Sequence, residues 1–282
     1  MFPAARLRRF ARDGGHKGAD MARTGLAVGG ILLILGGVSV LTWGGFDDAE
    51  ARTTAVGDIR RVEVDSGSGS VDVRYEPGAE AEVQQRKHRW WGGWWSDDSG
   101  SNHGVIDGVL LLDTRCGWNC TIDYTVTLPK RVPVTGDLGS GSIDIAGMSS
   151  VDIEVGSGSI AVHGSPGPVT ARTGSGSIEL GDVAGKIDVE TGSGGIEGRN
   201  LRADDIAAHT NSGSAVLQLL SPRSVDVETG SGEIDLTVPP GPYRVDAETG
   251  SGSTEIDVDR DPGAERSLTL STGSGGIHVD RT

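Results

Sequence analysis

One short string is written nine times in this chain, and it limits the folds open to it more than any other feature. The string is Gly-Ser-Gly, a small residue, then a β-former. It reads SGSGSVDV from Ser66, LGSGSIDI from Leu138, VGSGSIAV from Val155 and TGSGSIEL from Thr173. It continues as TGSGGIEG from Thr191, TNSGSAVL from Thr210, TGSGEIDL from Thr229, TGSGSTEI from Thr249 and TGSGGIHV from Thr272. From the second copy onward the triplet starts at Gly139, Gly156, Gly174, Gly192, Asn211, Gly230, Gly250 and Gly273, in steps of 17, 18, 18, 19, 19, 20 and 23 residues. A step this regular marks one supersecondary unit repeated along an axis.

Each unit reads as two short strands. Val151, Ile153 and Val155 alternate with Asp152 and Glu154, and after the triplet Ile160 and Val162 continue the alternation. Period two puts one face in a core and the other in water. Strands of four to six residues joined at glycine corners predict an all-β fold: a β-solenoid (β-helix-like) with one coil per 18–20 residues or so. Gly supplies 46 of 282 residues and aromatics only 4%. That composition excludes a helix-rich enzyme domain, and it suits a narrow interior, since Tyr243 is the only aromatic after Thr135. Asn211 stands where the other copies have glycine, and Asn best tolerates positive φ. The first triplet position is therefore expected to be left-handed, with the recurring middle serines forming a hydroxyl ladder along the corner.

In-register stacking sets outward charges beside one another. The outward pairs are Asp152/Glu154, Thr170/Arg172, Asp188/Glu190, Ala207/His209, Asp226/Glu228 and Asp246/Glu248. Arg172 and His209 separate acidic coils, which like-charge repulsion favours. If coils stack in chain order, Asp226/Glu228 faces Asp246/Glu248 and forms a carboxylate cluster of the kind that takes Ca²⁺.

Residues 59–135 are predicted to form an irregular β cap on the solenoid 136–282. Within this region VIDGVLLLD (105–113) and TIDYTVTL (121–128) read as strands. Cys116 and Cys120 are the only cysteines, in CGWNC. On an exported domain this spacing favours a disulfide; half of a metal site and two free thiols are the alternatives. The insertion 86–104 (RKHRWWGGWWSDDSGSNHG) carries Trp90, Trp91, Trp94 and Trp95, too many indoles for a narrow coil. They read either as packing on the cap or as an aromatic platform for a surface glycan, a membrane interface or an envelope protein. Arg86, Lys87 and Arg89 beside them would suit an anionic surface.

The first 46 residues read as a membrane address. Residues 24–46 carry no charge and are long enough to span a hydrocarbon core of about 30 Å as a helix. The basic tail 1–23 precedes them, and Asp47, Asp48 and Glu50 follow in the linker 47–58. The charge asymmetry predicts a cytoplasmic amino terminus and an extracellular body. A cleaved signal ending near Ala49-Glu50-Ala51 is the rival, disfavoured by the length of the apolar run. The chain's net charge is −15, and no basic stripe is present, which argues against nucleic-acid partners.

No G-x-S-x-G elbow, Walker loop or HExxH motif occurs in the chain. No catalytic residue, metal ligand or cofactor is assigned. The repeats, with TIDYTVTLPKRVPVTGDLGSGSIDI from Thr121, resemble the bacterial putative-adhesin family of β-strand repeat proteins, a domain of unknown function. The resemblance spans Ile59–Val279 and rests on the many copies of the Gly-Ser-Gly-Ser/Glu turn, with Leu128-Pro129 closing an Ile/Val-rich strand before the coils. It implies a membrane-associated β-solenoid and transfers no site residues. The expected function is a non-catalytic, membrane-anchored surface module for adhesion or envelope interaction. An envelope-stress regulatory partner of a membrane signalling system and a carbohydrate-active β-helix enzyme are the alternatives.

Overall fold

Consecutive strands in this chain lie on two parallel sheets that meet at the triplet. The structure is a computed structural model that describes residues 50–65, 67–89, 102–116 and 120–282. These form 23 strands, with no helix among them. In most coils one strand leads into Gly-Ser-Gly and a second leaves it, as Ser150–Ser157 and Ile160–His163 do. The upstream strands pair in parallel with upstream strands of neighbouring coils, and the downstream strands do likewise. The all-β solenoid reading holds. The predicted span 24–46 lies outside the described residues, among which no helix is long and apolar enough to cross a membrane.

Register makes the core. Ile143, Ile160, Ile178, Ile196, Ala215, Ile234 and Ile277 are successive partners on the downstream sheet, and all are buried. Val151, Val169, Ile187, Ile206, Val225 and Leu268 form a matching row on the upstream sheet. Each such side chain contributes roughly 1.5–3 kcal/mol by leaving water. In the next downstream row, Val162, Leu180, Gly198 and Leu217, glycine leaves a gap and Leu201 folds over it, its Cδ1 lying 2.6 Å from where a Cβ would stand.

The coils do not stack in chain order. Following the strand pairings, the layers run 109–128, 61–75, 133–146, 150–163, 169–181, 187–201, 205–219, 224–238, 267–281 and 242–256. At each end a later or earlier segment has been laid outside the terminal coil. This corrects the expected acidic cluster. Asp226 and Glu228 pair with Thr269 and Ser271, whose other neighbours are Asp246 and Glu248. A neutral strand thus separates the two acidic ones, and the Ca²⁺ reading of that cluster has no geometry behind it.

The corner differs from expectation as well. Positive φ falls on the third triplet position, from 129° at Gly141 to 157° at Gly252, and Asn211 is not among the positive-φ residues. A Cβ on Gly194 would lie 2.1 Å from the Gly176 carbonyl oxygen, so close stacking and backbone conformation both demand glycine there. The first position is crowded but has no positive φ: a Cβ on Gly192 would lie 2.5 Å from the Gly174 oxygen. Small local adjustment therefore lets Asn211 serve there. The ladder along the corner is made of backbone: Gly158 N–H donates to the Ser175 carbonyl (2.7 Å), and Gly176, Gly194 and Gly213 repeat the bond one coil further on. The middle-serine hydroxyls point outward.

The buried hydroxyls belong to the residue before the triplet. Thr173, Thr191, Thr210, Thr229 and Thr272 are buried, and each donates to the carbonyl of the third triplet glycine one layer away, at 2.8–3.1 Å. Leu138 and Val155 fill the same row in earlier coils.

Candidate interaction surface

The first end of the stack carries the chain's unusual residues. Its outermost coil joins Val109–Asp113 to Cys120–Leu128 without a Gly-Ser-Gly triplet. Cys116 and Cys120 form a disulfide across that corner, with Cα atoms 5.6 Å apart. The covalent link stands where the other coils rely on glycine. Two antiparallel strands cover the edges of this coil: His103–Ile106 on Val109–Asp113, and Glu82–Arg89 on Cys120–Leu128. Glu50–Ala55 pairs outside Glu82–Arg89. Antiparallel cover of this kind protects a parallel sheet edge.

Trp90, Trp91, Trp94 and Trp95 lie outside the described residues. The strands that flank them are placed: Arg89 pairs with Cys120, beside the disulfide, and His103 pairs with Leu112. His103–Ile106 ends in a two-residue Asp107-Gly108 turn with φ of 49° and 77°, the conformation that closes a tight hairpin. Its Val105 and Ile106 are 42% and 61% exposed, on a strand that, among the described residues, pairs only with Val109–Asp113.

Charges around this end are matched. Arg115 reaches Asp65 at 2.6 Å and Asp113 at 3.0 Å, and its hydrogen bond holds the Asp113 carboxyl below the usual carboxylate range. His88 Nε2 lies 3.0 Å from Asp123. The His103 ring contacts Gln85 Oε1 at 3.1 Å, and burial pushes its pKa down. Tyr124, buried beneath, donates to the Asp113 carbonyl, and burial pushes its hydroxyl pKa up. Strand alternation splits the expected basic group: Arg86 is exposed, whereas Lys87 faces inward and is buried.

On the upstream sheet Arg172 and His209 separate acidic neighbours, whereas Asp137 pairs with Glu154 and, downstream, Glu179 with Glu197. Arg172 stands between Glu154 and Glu190, and its guanidinium lies 3.7 Å from both Asp188 and Glu190. His209 stands between Glu190 and Glu228. No cleft gathers these carboxylates. The pocket lined by Gly57, Asp58, Ile59, Leu128, Pro129 and Lys130 is a depression of about 200 Å³, much of it open to solvent. Among the described residues Glu233, Asp235 and His278 form the one mixed donor set whose ligand atoms converge, all within 4.8 Å of one another. Sequence reasoning assigned no metal ligand there, because these residues meet only through the out-of-order coil.

No curated protein matches the chain. Among solved structures, a putative adhesin from Bacteroides fragilis is 14% identical with a TM-score of 0.43, covering 83% of this chain and 97% of that one. A putative adhesin from Parabacteroides distasonis is 13% identical with a TM-score of 0.44, covering 83% and 98%. The model of the family described as Toastrack DUF4097 matches residues 122–281, more than half of the chain. The chain therefore belongs to the Toastrack DUF4097 family.

Proposed function

We propose that this chain is a membrane-anchored surface module that engages a surface glycan or envelope protein through the first end of its solenoid, without catalysis. The observation that carries the reading is the edge strand His103–Ile106. It leaves two large aliphatic side chains exposed beside the attachment points of the Trp-rich segment. Exposed apolar side chains on a strand that continues from a Trp-rich sequence have the composition of a binding surface. The uncharged segment 24–46, with basic residues before it and acidic residues after it, supports anchoring with the body outside.

The test uses the full chain expressed in a Gram-positive host. Protease added to intact cells should remove the body. Cells displaying the chain should adhere to immobilised envelope polysaccharide or envelope protein, and the two coatings separate the two ligand classes. Deleting residues 90–101, or making Ile106→Asp, should reduce adhesion at least several-fold with display unchanged. Protection of the body from protease, or adhesion indifferent to both changes, defeats the reading.

A further inference from the structure

We propose that Glu233, Asp235 and His278 form a binding site for a divalent transition-metal ion of the Zn²⁺ type, on the outer face of the downstream sheet. Asp235 and His278 are register partners on adjacent parallel strands, and Glu255 is the register partner of His278 on its other side. Glu233 occupies the position just after the triplet, where every other copy carries Ser or Gly. It is the only copy that brings a carboxylate to that place.

Three geometric facts point to a ligand. First, His278 Nε2 lies 3.1 Å from Glu233 Oε1, and one donor atom from each of the three residues falls within 4.8 Å of the others. Two ligands on a tetrahedral zinc, each bonded at about 2.0–2.1 Å, stand about 3.3 Å apart, so small rotamer changes bring this set onto one ion. Second, the other ring nitrogen of His278 faces the Glu255 carboxylate at 3.7 Å. A carboxylate behind the ring is how metal-binding imidazoles are held in the correct tautomer. Third, the site lies over bare backbone. A Cβ on Gly276 would lie 2.8 Å from His278 Nε2, and Glu233 Oε1 is 3.6 Å from the same point. Glycine at 276 therefore clears the space into which the donors point.

The donor set decides the class of ion. An imidazole with carboxylates suits zinc, nickel or copper, whereas calcium takes oxygen ligands only. Three protein ligands leave a position for water. An ion held here would tie the inserted coil 267–281 to the coil 224–238 across two strands.

The experiment titrates ZnCl₂ into untagged full-length protein by calorimetry, with metal-free melting curves to check that each variant folds. One saturable equivalent is expected, with a higher melting temperature, and a tenfold excess of Ca²⁺ should not displace it. His278→Gln and Glu233→Gln should each weaken binding more than tenfold. Gly276→Ser removes no ligand but fills the clearing, and should also weaken it. His209→Gln, at a histidine likewise flanked by acidic strands, should leave binding unchanged. Absence of saturable heat overturns the proposal, as does full binding by His278→Gln or an equal loss in His209→Gln.

Discussion

Replacing Gly194 by alanine adds one methyl group at the most crowded kind of position in the molecule. Its φ is +141°, and the new Cβ would lie 2.1 Å from the Gly176 carbonyl oxygen and 2.6 Å from its carbon. An L-residue held in such a conformation costs about 1–3 kcal/mol. Relieving the clash requires the corner to move by about 1 Å, since backbone oxygen cannot swing aside as a side chain does. That movement strains the bond from Gly194 N–H to the Ser212 carbonyl (2.8 Å) and the bond from Gly176 N–H to the Ser193 carbonyl (2.8 Å), each worth about 1 kcal/mol. The expected loss is therefore about 3–5 kcal/mol, or roughly 10 °C in melting temperature for a body of this size. Gly192→Ala is the matched control. Its Cβ would also be close to a carbonyl, at 2.5 Å, but φ is not positive and Asn211 shows that the row accepts a side chain. It should cost at most half as much. Thermal unfolding of both variants by circular dichroism decides the matter. Equal losses, or a Gly194→Ala loss below about 1 kcal/mol, would refute the assignment of the demanding position.

Thr210→Val is nearly isosteric and removes the donor to the Gly194 carbonyl at 3.0 Å, so it should destabilise by about 1 kcal/mol; denaturant unfolding showing no change would mean that the buried threonine row is only filling space. Burial, then the charge of Glu233, push the Asp235 carboxyl up, so the folded chain holds that proton more tightly than the unfolded chain. Stability from this group is full below the ordinary carboxylate range and is lost as pH rises through the folded value. Asp235→Asn should therefore stabilise the metal-free protein at pH 7, by less than about 1 kcal/mol given its partial exposure, and should have no effect near pH 3. A lower melting temperature for the variant at pH 7 would contradict this sign.

The coil period was legible because every copy repeats the same alternation, and a single misread strand could not shift the register of the rest. Stack order was not, because either order of the last two coils satisfies the apolar pattern. The one hint was electrostatic. Chain order would have set Asp226/Glu228 against Asp246/Glu248, and the fold avoids this by placing Thr269 and Ser271 between them. The convergence of His278 with Glu233 follows from the same insertion and was hidden for the same reason. Asn211 misled in the opposite direction. It was read as evidence for positive φ, when it marks the triplet position that can accept a Cβ at all. The threonine before the triplet stood in six of the nine copies, counting Asn211's, and only the structure shows that its hydroxyl turns inward to a neighbouring carbonyl.

The out-of-order layers give the two ends of the stack different characters. A solenoid stacked in chain order has its first and last coils at the ends, paired on one side and prone to fraying. Here the strand Arg61–Asp65 is held between Val109–Asp113 and Pro133–Ala146, and Ser267–Ser274 between Ser224–Ser231 and Pro242–Thr249. The exposed ends are then finished by different means. At the far end the outer coil has a weaker interior: Val245, Ala247 and Ile256 are only half-buried, and Thr254 faces solvent where its neighbouring coil carries the buried Ile277. At the first end a disulfide and antiparallel strands close the outer coil. Closure there would have allowed a wholly polar edge. Instead the covering strand, paired through Val105–Leu110 and Ile106–Val109, leaves Val105 and Ile106 exposed. Under the proposed function, this apolar exposure is where a partner from outside the chain would make contact.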